Sequence, residues 1–136
     1  MAKVSKVKQF LIEITDEPGA GDAVLQALAA SKVNLMGICG WHEPHGKTSK
    51  GYITVIPADP AAAKKALTKA KIKSKSQNMI AVETGNKPGA VAEVTGKIAA
   101  AGINIRFAYA AASSANKGIT FVDADATPAK LTKLLS

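Results

Sequence analysis

Lys8 to Gly40 reads KQFLIEITDEPGAGDAVLQALAASKVNLMGICG, and Asn78 to Ala110 reads NMIAVETGNKPGAVAEVTGKIAAAGINIRFAYA. The two stretches align without a gap. Between positions 10 and 40, eight of 31 pairs are identical: Glu13/Glu83, Pro18/Pro88, Gly19/Gly89, Ala20/Ala90, Val24/Val94, Ala29/Ala99, Ala30/Ala100 and Asn34/Asn104. Phe10/Ile80, Ile12/Val82, Leu28/Ile98, Val33/Ile103 and Leu35/Ile105 match as apolar residues. The shared pattern therefore covers the positions that face a core, and it marks an internal repeat.

Each copy predicts strand, helix, strand, strand, helix. Phe10, Ile12 and Ile14 alternate with Leu11, Glu13 and Thr15, the period of a strand, until Asp16-Glu17-Pro18-Gly19 turns the chain. Ala20, Val24, Ala27, Leu28 and Ser31 then fall on one helical face. Val33 to Gly40 predicts the second strand, His42 to Ser49 a loop, and Tyr52 to Ile56 the third strand. Asp59 and Pro60 are suited to start a second helix as N-cap and first-turn residue. Lys71, Ile72, Lys73, Ser74 and Lys75 alternate as a short fourth strand with a solvated, lysine-guarded face. The second copy repeats the scheme with Ile80 to Thr84, Ala90 to Ala101, Ile103 to Ala110, Ile119 to Ala124 and a helix from Pro128. It lacks a fourth strand, and residues 2–7 are the segment that can supply one. The units expected are residues 1–76 and 77–136.

With 136 residues, 47% hydrophobic and 21% charged, the composition is that of a soluble globular protein. Alanine contributes 26 residues and aromatics only 4%, so each unit of about 70 residues is marginal alone. The net charge of +8 rests on 17 Lys and the single Arg106. Scattered lysine is the composition of a solvated surface, whereas base and phosphate readout favours arginine. Cys39 has no intrachain partner, and neither a signal peptide nor a membrane span is legible, so the expectation is a cytoplasmic chain.

The repeated turn carries the candidate chemistry. A turn between a strand and a helix N-terminus presents unpaired N–H groups and the positive end of the helix dipole, which suits a carboxylate. Pro18 and Pro88 fix the turn, and Gly19 and Gly89 are read as allowing close backbone approach. Gly19 and Ala20, or Gly89, Ala90 and Val91, are the candidate donors. A ligand amine would turn toward Asp16, Asn34, Asn86 or Asn104, unless Asp16 and Asn86 simply cap their helices.

These residues resemble the ACT domain family. Asp16-Glu17-Pro18-Gly19 with Val24, Leu28 and Val33-Asn34-Leu35 follows the family pattern, as does Asn86-Lys87-Pro88-Gly89 with Val91, Val94, Ile98 and Ile103-Asn104-Ile105. The resemblance implies an α+β fold of two ferredoxin-like βαββαβ units sharing one eight-stranded antiparallel sheet, with helices on one face. It also implies a free-standing regulatory sensor that binds a small amino acid at the unit interface, with Leu35 and Ile105 beside the ligand. Three positions depart from the pattern. Gly21 replaces a large apolar residue and would make room over the first loop, Lys32 replaces the helix-ending glycine kept as Gly102, and Asn86 replaces Asp.

Open sheet edges and an alanine-rich helix face predict a homodimer, and a metabolic enzyme or regulator would read the bound state. No cofactor, metal or membrane is implied. Nucleic acid is the rival partner, because Lys50-Gly51-Tyr52 and Lys117-Gly118-Ile119 imitate the opening of the RNA-recognition motif's third strand. Only Tyr52 or Phe121 is then offered for stacking. Cys39, His42 and His45 have ligand chemistry suited to zinc, but alternation along a strand divides Cys39 from His42. Ser113, Ser114 and the two histidines form no catalytic spacing.

Overall fold

The computed structural model describes residues 3–136, and of His45 the backbone alone. The elements are β1 (Lys3–Thr15), α1 (Ala20–Ala30), β2 (Leu35–His45), β3 (Thr48–Pro57), α2 (Pro60–Lys69), β4 (Lys75–Thr84), α3 (Ala90–Ala100), β5 (Ile105–Ser114), β6 (Lys117–Ala124) and α4 (Pro128–Leu135). The chain divides into two compact units, Lys8–Gln77 and, with residues 3–7, Asn78–Ser136. No helix among the described residues is long and apolar enough to cross a membrane.

In the first unit β3 lies between β2 and β1, all antiparallel. Phe10 stands opposite Val55 and Ile12 opposite Ile53, so strand alternation gathers these four on one face. There they join Val24 and Leu28 of α1 and Ala63, Ala66 and Leu67 of α2 in a buried cluster. Each large side chain so buried contributes about 1.5–3 kcal/mol. The opposite face carries the stacked rings of Trp41 and Tyr52, 5.5 Å apart. Asp59 caps α2 by accepting from the Ala62 N–H at 3.2 Å. In the expected loop from His42 to Ser49, strand pairing continues to His45 and Thr48, leaving a two-residue turn.

The second unit repeats the plan with β6 between β5 and β4. Ile80, Val82 and Val122 meet Val94 and Ile98 of α3 and Leu131 and Leu135 of α4. Of the segment 2–7, Ala2 lies outside the described residues. Residues 3–7 form the start of β1 and belong to this unit. Val4 packs against its core and Lys3 Nζ stands 3.6 Å from Glu83 Oε2.

The α+β architecture has an antiparallel sheet and, among the described residues, four helices and six strands where eight strands were expected. The reason is local. Lys71 has φ 59, the left-handed conformation that ends α2, so it cannot open an extended strand. The strand starts instead at Lys75 and continues through Ile80 to Thr84, merging two expected strands into β4. Likewise residues 3–7 run on into Lys8–Thr15 as a single β1.

Candidate functional site

Gly19 and Gly89 sit at the N-caps of α1 and α3 with φ of 86° and 89°. A Cβ at either position would meet nothing within 4 Å. The left-handed backbone of the turn favours glycine, and the space beside each glycine is open. Neither helix has a side-chain cap. Instead the Ser49 hydroxyl donates to Asp16 Oδ2, and His42 Nδ1 lies 3.8 Å from the same oxygen. In the second unit Asn86 Nδ2 donates to the Ser114 carbonyl at 3.1 Å. Both residues thus tie the turn to the adjoining hairpin.

The expected donors differ in availability. The Ala20 N–H is bonded to Glu17 O at 3.2 Å and the Ala90 N–H to Lys87 O at 3.1 Å, closing the Pro18 and Pro88 turns on themselves. Asn34 and Asn104 lie at the far end of their units. Thr15 pairs with Lys50 whereas Leu35 pairs with Pro57, seven residues further along β3, or roughly 24 Å at 3.4 Å per residue. In the second unit Thr84 pairs with Gly118 and Ile105 with Ala124, roughly 20 Å apart by the same rise. The Asn34 and Asn104 carbonyls accept from Ala58 and Asp125 N–H groups, both at 2.8 Å. Leu35 and Ile105 pack on their own cores. Each unit by itself leaves these four residues away from its turn.

A cavity of about 210 Å³ opens at the second turn. Asn86, Lys87, Ala90 and Val91 form its loop side, and Thr84, Gly118 and Thr120 form its sheet side. Thr120 pairs with Val82 in the register that puts Val122 opposite Ile80, so its side chain shares the face covered by α3. It is 2% exposed, and its hydroxyl has no hydrogen-bond partner. The Thr84 hydroxyl donates to Gly85 O at 3.0 Å. A second cavity of about 200 Å³ lies on the other side of Ala90, lined by Glu93, Lys97 and Leu135. Thr84, Lys87, Gly118 and Thr120 escaped sequence reasoning. A polar Thr120 aligned with the core residue Ile53 was the available signal.

In the first unit Ile14 stands beside the corresponding glycines. A Cβ at Gly21 would stand 3.6 Å from Ile14 Cδ1, and one at Gly51 would stand 2.9 Å from Ile14 Cγ1. Ile14 thus borders the place where Gly21 was expected to leave room. An opening of about 510 Å³ in this unit lies between Glu13, Ala23 and Lys73 on the other side of Ala20.

A close charge contact lies away from the turns. Arg106 Nη2 donates to Asp123 Oδ1 at 2.9 Å and to Ala124 O at 3.0 Å, near Asn104. That hydrogen bond, then the charge of Asp123, raises the guanidinium pKa above its ordinary value. Among the described residues no group of three or more His, Cys, Asp or Glu is placed to hold a metal ion.

Among solved structures, the chain is similar to protein BT0572 from Bacteroides thetaiotaomicron, at 25% identity and TM-score 0.82, over 97% of this chain and 88% of that one. The regulatory subunit of aspartate kinase from Thermus thermophilus shares the fold at 21% identity and TM-score 0.65, over 98% of this chain and 91% of that one. Its Thermus flavus counterpart gives 21% and 0.64, with 99% and 90% covered. No curated protein sequence matches. A family model described as an ACT domain pair matches residues 5–134. The repeated strand and helix order and that match lead to one conclusion: the chain belongs to the ACT domain pair family.

Proposed function

We propose that the chain is a regulatory rather than a catalytic protein and that it binds a small free amino acid at the second turn. The carrying observation is the cavity at the N-terminus of α3, lined by Asn86, Ala90 and Val91. At about 210 Å³ it lies below the roughly 300–1,000 Å³ of sites for drug-sized ligands, which suits a small metabolite. In this reading the carboxylate takes the α3 dipole end beside the Lys87 ammonium. The ligand amine faces Asn86 Oδ1, because Nδ2 is held by Ser114.

A cytoplasmic homodimer is part of the proposal, supported by edge strand β2 with Met36 41% and Ile38 46% exposed. A metabolic enzyme or regulator would read the bound state. The nucleic-acid alternative finds no support in the family match, and Phe121, one of its stacking candidates, is 2% exposed. Thermal-shift screening of the twenty amino acids tests the reading. A specific ligand at 100 times its Kd stabilises the fold by about 2.7 kcal/mol. Lys87→Ala should shrink that shift; a screen with no shift from any amino acid contradicts the proposal.

A further inference from the structure

We infer that Thr120 sets ligand specificity, selecting an amino acid whose uncharged side chain hydrogen-bonds over an apolar one of the same shape. This rests on the amino-acid reading of the second turn and goes beyond it by naming the class of side chain.

A buried hydroxyl without a partner is unfavourable, and native structures rarely keep one without a use. Thr120 is such a group, buried on the face under α3 and among the residues that border the cavity. The repeat supplies an internal control. Aligned at Gly51 and Gly118, Ile53 takes the place of Thr120, and at the earlier offset Ile14 takes the place of Thr84. In the first unit Ile53 belongs to the apolar cluster and Ile14 packs against it. The second unit replaces both with hydroxyl residues, and a cavity lies beside them.

The surrounding chemistry narrows the ligand. Ala110, Ala112 and Gly118 flank Thr120, and the charged side chain lining this cavity is Lys87, on its loop side. A charged ligand side chain reaching Thr120 would lose hydration without gaining a counter-ion. A hydroxyl or amide gives the Thr120 hydroxyl its missing partner. An isosteric apolar group leaves it unsatisfied.

Isothermal titration with three matched pairs, threonine and valine, serine and alanine, asparagine and leucine, tests this on the full chain. In the wild type the polar member of the pair that binds should win by about tenfold, the worth of one net hydrogen bond. Thr120→Val should erase that ratio and raise the melting temperature of the ligand-free protein, while Thr120→Ser should keep the ratio. Equal binding of both members, or a ratio that survives Thr120→Val, overturns the role of Thr120 and leaves amino-acid binding standing. A lower melting temperature for ligand-free Thr120→Val also overturns it, because the hydroxyl would then have a partner. Absence of binding by every amino acid overturns both proposals together.

Discussion

Lys32 holds φ 56 at the end of α1, where its repeat partner Gly102 holds 71 at the end of α3. Both close the same motif: the Lys32 N–H reaches Ala29 O at 2.9 Å, and the Gly102 N–H reaches Ala99 O at 2.9 Å. A β-carbon in this region is unfavourable, partly offset by the stiffer unfolded chain. Lys32→Gly should therefore stabilise the protein by about 0.5–1 kcal/mol in urea melts. Gly89→Ala should do the reverse, destabilising by about 1–2 kcal/mol through backbone strain alone, since no atom waits within 4 Å. The glycines of the turn were legible in the sequence, but their left-handed backbone was not, because a glycine that serves a backbone angle is spelled like one that serves a close approach.

Lys50 adds a pH-dependent contact. Its ammonium stands 3.0 Å from Glu13 Oε1, and the hydrogen bond and charge of that carboxylate hold its pKa above 10.5. A folded pKa above the unfolded one makes the stabilisation complete below about pH 10.4 and lost as pH rises through the folded value. Denaturation at pH 9 and pH 11.5 should show wild type losing more stability across that interval than Lys50→Met.

At the scale of elements, the helix starts were readable because capping chemistry is local. Asp59 and Thr127 each accept from the N–H three residues on, at 3.2 Å, and each precedes a proline. Asp59→Ala and Thr127→Ala should each cost about 1 kcal/mol, measured by urea denaturation. Strand ends were less readable. The alternation of Lys71 to Lys75 imitates a strand, but the left-handed turn at Lys71 delays extension to Lys75. The polar run after His42 looked like a loop, yet edge strand β2 tolerates Pro44 because an edge has one unpaired side. Thr120 shows the limit from the other direction. One threonine within an apolar strand reads as ordinary β-propensity until the register sets it against a cavity.

Over the whole molecule, an alanine-rich composition is made sufficient by repetition. Each unit buries its own cluster under two helices, one around Phe10, Ile12 and Leu28, the other around Ile80, Ile98 and Leu131. The copies have diverged at their turns. Asp16 is held by Ser49 beside His42 and Ile14 lies beside Gly21 and Gly51, while at the second turn a cavity opens beside Thr84, Asn86 and Thr120. The +8 charge takes no part in this site beyond Lys87. A two-dimensional amide NMR titration with the amino acid that gives the largest thermal shift tests the site directly. Shifts should concentrate at residues 85–91 and 118–120; shifts confined to residues 16–21, or none at either turn, would contradict binding at the second turn.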